Sequence, residues 1–214
     1  MKHIKTFKQI LEKNKFSVKS ILPKEYQDLK TAIIKTDLQL LKNVIDKVNL
    51  NEKIFKIFDD DNVYHWTPLM YVSNSGRKII NPINNLIAKE LINGGAEVDI
   101  QDRNGNTPLI YAAYNDNLEL VNILIKEKAS LNIQDNNGNT AIQIALSNAI
   151  YECGVASQVI IDLINANADI NIKNFNGETF LDGFDFEWSN NKNWKTCREN
   201  IINNTYLCSR KYNL

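Results

Sequence analysis

The sequence predicts an all-α solenoid, a stack of antiparallel helix pairs joined by turns and closed at each end by a helical cap. Three observations carry this. A turn-and-helix segment recurs along the chain, a second apolar segment follows it at the same offsets, and the apolar spacing within each copy is helical. The 214 residues are 43% apolar and 23% charged, enough for a packed core. Only 8 Gly and 4 Pro occur, which excludes collagen-like and Pro-rich classes. The 25 basic residues balance 25 acidic ones, so no whole-chain attraction to nucleic acid or anionic membrane is expected. No run approaches the roughly 18 uninterrupted apolar residues of a membrane span.

Taken in order, the first copy is the divergent Leu29 to Ile45 stretch. It aligns with Leu109 to Ile125, with Ala32 standing for Ala112 and Val44 for Leu124. The next begins Trp66-Thr-Pro-Leu-Met-Tyr-Val. Asp102-Arg-Asn-Gly-Asn-Thr-Pro-Leu-Ile-Tyr-Ala-Ala opens the third and Asp135-Asn-Asn-Gly-Asn-Thr-Ala-Ile-Gln-Ile-Ala the fourth. Asn174-Phe-Asn-Gly-Glu-Thr-Phe-Leu begins a last, partial copy. Thr67, Thr107, Thr140 and Thr179 are thus 40, 33 and 39 positions apart.

The second segment, Leu91-Ile-Asn-Gly-Gly-Ala, returns at Leu124 and Leu163 with offsets of 33 and 39. The second and fourth copies therefore carry insertions of about seven and six residues over the basic period. They fall at Ser73 to Pro82 and at Ala149 to Ser157, between the paired helices. They project from one side of the stack or lengthen the helices, as the spacing of Ile79, Ile80, Ile83 and Ile87 also allows.

Each unit has its local logic. Asp102 opens a turn that Gly105 closes with a positive φ. Thr107 caps a helix whose first residue is Pro108, where the missing N–H costs nothing. Ala112, Ala113 and Ala145 are small where one helix must approach its neighbours. Leu120, Val121, Leu124 and Ile125 stripe a second helix. Helices this short must stack to bury a core, and the ends need caps. The amphipathic Ile4, Phe7, Ile10, Leu11 stretch serves one end and Trp194, Cys197, Ile201 and Cys208 the other.

These segments resemble the ankyrin repeat, whose motif is a turn, Thr-Pro-Leu-His-x-Ala, and then Leu-Leu-x-x-Gly-Ala. The resemblance spans residues 29 to 184 and implies short β-hairpins between helix pairs. The organisation expected is an N-terminal cap over 1–28 and repeats at about 29–61, 62–101, 102–134, 135–173 and 174–184 (partial), with a C-terminal cap over 185–214. Two departures stand out. The motif's His is Met70, Ile110, Gln143 and Asp182 here, which puts in question the bond it makes between neighbouring repeats. The Gly ending the second helix is kept as Gly95 but is Lys128 and Asn167 later.

Little in the chain suggests catalysis. His3 and His65 are the only histidines, and no metalloprotease, nucleophile-elbow or Gly-rich phosphate motif is present. Gly94-Gly95 ends a helix rather than opening one. Asp59, Asp60 and Asp61 read as solvated carboxylates rather than a cation site. No enzyme activity, cofactor or metal is expected. The competing reading, chemistry housed in the termini, rests on His3, Cys197, Arg198, Glu199 and Cys208. The seven lysines before Glu25 are the only basis for a nucleic-acid role. Three unpaired cysteines, Cys153, Cys197 and Cys208, and a lysine-interrupted N-terminus point to a reducing, cytoplasmic setting.

The resemblance also implies a partner, another protein held by hairpin tips and the concave face of the first helices. The tip positions are Val63, Tyr64 and Trp66; Arg103, Asn104 and Asn106; Asn136, Asn137 and Asn139; and Phe175, Asn176 and Glu178. The concave positions are Asn74, Tyr114, Asn115, Ser147 and Asn148. Tyr64, Trp66, Tyr114 and Phe175 suit rigid anchors, Arg103 a directional fork, and the asparagines adaptable hydrogen bonding. Asn104 and Asn137 equally suit a tight turn, and Trp66 the cover of the neighbouring insertion. Tyr71 and Tyr111 share one position and are expected to pack. A monomer acting as an inhibitor, such as an immunity protein, fits this description. So do an effector delivered to a host cell and a non-catalytic subunit of an enzyme complex.

Overall fold

The computed structural model describes residues 22–182 other than 60–61, 75–81 and 152–157, and gives the backbone alone at 57–59, 62–64 and 148–151. The two terminal amphipathic stretches, Cys153 and the 60–61 carboxylates lie outside the described residues. Among the described residues eight α-helices, a short 3-10 helix (Ile45–Lys47) and one hairpin follow in order. The helices are α1 (Lys24–Ile34), α2 (Leu38–Val44), α3 (Pro68–Ser73), α4 (Pro82–Asn93), α5 (Pro108–Tyr114), α6 (Leu118–Lys126), α7 (Ala141–Tyr151) and α8 (Gln158–Asn165). The hairpin, β1 (Phe55–Asp59) and β2 (Asn62–Trp66), is antiparallel and lies between the first two pairs. Consecutive helices pack as pairs. Odd-numbered helices stack on odd ones and even on even, giving two layers with the core between them.

The same devices build each pair. Thr67 and Thr107 cap α3 and α5, their hydroxyls accepting from the Met70 and Ile110 amides, with Pro68 and Pro108 next in line. The α1–α2 and α5–α6 turns are identical in kind. Thr36 and Asp116 take φ of 54° and 52°, and the next residues, Asp37 and Asn117, cap the second helix through their side chains. The Leu29 to Ile45 stretch is therefore a helix pair built like the others, although α1 starts earlier, at Lys24.

Equivalent positions fill the core. Leu29, Leu69, Leu109 and Ile142 occupy one position of the first helix and are at most 1% exposed. Leu91, Leu124 and Leu163 occupy one position of the second and are fully buried. Burying each such side chain contributes about 2 kcal/mol. Ala32, Ala112 and Ala145 are buried at one position of the first helices, which Val72 fills in α3.

The second helices end alike, as Ala96, Ala129 and Ala168 donate back to Leu91, Leu124 and Leu163. Gly95, Lys128 and Asn167 hold the left-handed position at φ of 97°, 62° and 68°. Lys128 thus takes the motif's glycine conformation despite its Cβ, at a local cost.

Both insertions are helical in part. The α4 helix starts at Pro82, ahead of Asn85, the residue aligned with the first residue of α6, and α7 runs 11 residues where α5 runs 7. The remainder of each insertion, 75–81 and 152–157, lies outside the described residues.

Candidate functional site

Three successive turns present the candidate surface, and one side chain organises each. Asp102 Oδ1 accepts from the amides of Asn104 (2.9 Å) and Asn106 (2.8 Å). Asp135 Oδ1 accepts from Asn137 and Asn139, and Asn174 Oδ1 from Asn176 and Glu178. Gly105, Gly138 and Gly177 complete the turns at φ near 80°. A Cβ on Gly105 would lie 2.8 Å from the Asn136 amide nitrogen, so the next turn can stack only on a glycine. Stacking is hydrogen-bonded: the Asn136 amide donates to the Asn104 carbonyl (2.8 Å) and the Phe175 amide to the Asn137 carbonyl (3.0 Å). Gln101 and Gln134 clamp the same face, each side-chain amide donating to a carbonyl of its own turn (Gly105 or Gly138) and to one leading into the next (Gln134 or Lys173).

This framework exposes Arg103, Asn136 and Phe175 at one equivalent tip position and Asn104, Asn137 and Asn176 at the next. Phe175 is 75% exposed, the most open large apolar side chain described. Asn136 also donates through Nδ2 to the Arg103 carbonyl, which fixes its orientation. On the first helices Tyr114 is 50% exposed and Ser147 is exposed, while Asn74 is half-buried. Asn106 and Asn139 are half-buried and engaged, Asn106 Nδ2 with the Tyr111 hydroxyl and Asn139 Oδ1 with Asn174 Nδ2. Glu178 accepts from the same Asn174 side chain.

Two expected contact residues are structural instead. Trp66 is 8% exposed; its indole N–H donates to Asp102 Oδ2 at 3.2 Å, and its ring tilts onto Tyr111 with centroids 4.9 Å apart. Asn115 is 6% exposed, its Nδ2 directed at Asn74 Oδ1 and the carbonyls of Tyr111 and Ser73. Neither offers a partner an open side chain. Tyr64 and Val63 belong to β2 and Asn148 to α7, but their side chains lie outside the described residues. Tyr71 stacks on Phe55, centroids 4.2 Å apart, and Tyr111 is buried, so both pack as their shared position suggested.

Sequence reasoning passed over three polar links. Asp102 gathers both buried aromatics, with the Tyr111 hydroxyl donating to Oδ2 at 2.5 Å. Burial, reinforced by that carboxylate, pushes the Tyr111 phenol well above its ordinary value and keeps it protonated as a donor. Gln143, at the place of the motif's histidine, accepts from Thr140 and donates to the Ile172 carbonyl at the end of its own unit and to the Glu178 carbonyl of the next. The bond between neighbouring repeats is therefore made there by an amide. Asn85 is fully buried in α4, accepting from Asn117 Nδ2 and donating to Glu119. Its sequence signal was a polar residue where α6 has Leu118.

A cleft of about 150 Å³ between α7 and the last turn, lined by Gln143, Ser147 and Glu178 among others, falls short of the ~300 Å³ at which small-molecule sites begin. Among the described residues no three metal-ligating side chains converge, and no helix is long and apolar enough to cross a membrane.

Stacked helix pairs whose buried turn framework repeats while their tips vary define a modular recognition scaffold. Residues 81–174 match the family model for ankyrin repeats in three copies. This stretch of the chain is thus similar to ankyrin repeats, which serve generally as protein–protein interaction modules and are typically non-catalytic. No curated protein matches the chain in sequence.

Proposed function

We propose that the protein is a non-enzymatic, monomeric binder of one other protein, engaged by the turn tips and the open part of the concave face. One observation carries the reading. Equivalent positions in successive turns are alike where they hold the fold (Asp102, Asp135, Asn174), whereas one exposed tip position changes from turn to turn (Arg103, Asn136, Phe175) beside a second that is asparagine throughout. A surface varied unit by unit on a constant frame suits recognition by shape and hydrogen bonds. Phe175 and Tyr114 are the anchors, Arg103 supplies the fork, and Asn104, Asn136 and Asn137 fill the space between them. Because only Arg103 among these is charged, binding should depend weakly on salt.

The test is a triple variant, Arg103→Ala, Tyr114→Ala and Phe175→Ala, in a pull-down from the native source. Captured protein should fall at least about tenfold, the loss of more than one hot spot, with the unfolding midpoint little changed. Undiminished capture by a folded variant would refute the surface. An intracellular inhibitor and a host-delivered effector both satisfy this reading. Co-expression separates them, because an inhibitor rescues growth against its cognate toxin.

A further inference from the structure

Half of the eight glycines directly follow asparagine: Asn93-Gly94, Asn104-Gly105, Asn137-Gly138 and Asn176-Gly177. This dipeptide has intrinsic chemistry. The deprotonated main-chain nitrogen of the glycine can attack the asparagine Cγ, unhindered because glycine has no side chain. The C–N bond to the amide breaks, ammonia leaves, and a five-membered succinimide forms. Water then opens either of its carbonyls to give aspartate or isoaspartate. One water is consumed, one ammonia is released, and no oxidant, reductant or enzyme is required. The reaction needs the glycine nitrogen out of its hydrogen bond and the asparagine free to rotate, so a folded chain permits it only where the turn opens.

The four sites differ in what must open. Gly94 donates to Glu90 in helical geometry, and its α-carbon faces Ile45 and Leu50, whose side-chain atoms would lie 2.8 and 3.1 Å from a Cβ. The Asn104 tip is held by two bonds from Asn136, and the face of Gly105 is covered by that residue. The Asn137 tip is held by the Phe175 amide, and the Phe175 ring lies 2.7 Å from where a Gly138 Cβ would sit. The fourth site has none of this. Nothing comes within 4 Å of a Cβ placed on Gly177, and no hydrogen bond reaches the Asn176 carbonyl among the described residues. Only the turn's own bonds, centred on Asn174, keep it closed.

We infer that Asn176 is a site of spontaneous deamidation, the last described turn exposing one Asn–Gly peptide to chemistry that packing suppresses at the other three. The product places a carboxylate beside Phe175, on a tip whose one other charge is that of Glu178. The isoaspartate form also adds a backbone carbon to the turn.

The experiment ages the folded protein in mildly alkaline buffer and follows it by peptide mass mapping. Cleavage after Lys and Arg puts the four dipeptides on four different peptides, with Asn104 the first residue of its own. A parallel sample is aged in urea. In the folded protein Asn176 should convert at least about fivefold faster than Asn93, Asn104 or Asn137, the effect of roughly one net hydrogen bond on the open population. In urea the four rates should converge. Conversion of any other site as fast as Asn176 in the folded protein would overturn the inference. So would an Asn176 that converts in urea but stays intact when folded.

Discussion

The front and back of the array solve one problem with different residues. At the motif's fourth position the front units carry Met70 and Ile110, both buried, which can make no polar link to a neighbouring repeat. There the link runs through Asp102, which ties Trp66 of one unit to Tyr111 of the next. In the back units the same position is polar. Gln143 reaches both its own cap and the following turn, and Asp182 accepts from the amide and hydroxyl of Thr179. A repeat junction thus requires buried donors and acceptors to be matched across it, while the residue that does the matching can change. An aromatic beside the cap, such as Trp66, belongs to this matching rather than to the surface.

Removing the front link should have the largest effect. Asp102→Ala leaves an indole N–H, a phenol O–H and two amides without their acceptor, and should cost about 3–4 kcal/mol. Asp135→Ala strips two amides and should cost about 1–2 kcal/mol. Urea unfolding of the pair measures the difference, and equal losses would erase the contrast. Next comes Gln143→Ala, at about 1–2 kcal/mol. Its reciprocal graft, Ile110→Gln, should destabilise by about 2 kcal/mol, because an amide enters an apolar site.

Smaller effects test the helix ends. Lys128→Gly should stabilise by about 0.5–1 kcal/mol, since the lysine already holds a glycine conformation, and Gly95→Ala should destabilise by about 1 kcal/mol through φ alone, nothing being near its Cβ. The smallest effect is one of pH. The Thr179 amide and hydroxyl hold the Asp182 carboxyl below its ordinary value. A lowered native pKa gives stability that is present above the unfolded value near 3.9 and is lost as pH falls through the native one. The Thr179 amide resonance should therefore shift on acidification below about pH 4, and Asp182→Asn should abolish that shift.

The fold was legible because it repeats. Threonine caps, leading Asp or Asn residues and turn glycines recur at fixed offsets, and they mark where each unit starts. Positive φ at Lys128 could be inferred by position, against its chemistry, and at Asn167 in keeping with it. The surface was less legible. Arg103, Asn136 and Phe175 are exposed as their tip position suggests, yet Trp66 and Asn115 share the alignment and are buried. Alignment assigns a slot, whereas exposure depends on what the neighbouring units bring: Asp102 from the unit after Trp66, and the end of α3 from the unit before Asn115. The β1–β2 hairpin, longer than the turns that follow it, left no repeat signature because it occurs once.

The turn ladder has a direction. The Asn104 and Asn137 tips accept from the unit after them, and each Gln clamp reaches forward, so residues 102–134 carry one complete forward half-joint and one complete receiving half-joint. Such a stretch is an interchangeable link. A tandem copy spliced between Gln134 and Asp135 continues the main-chain ladder at both seams, with Asn106 in place of Trp66 against the copy's own Asp102 and Tyr111, and the molecule gains one more tip.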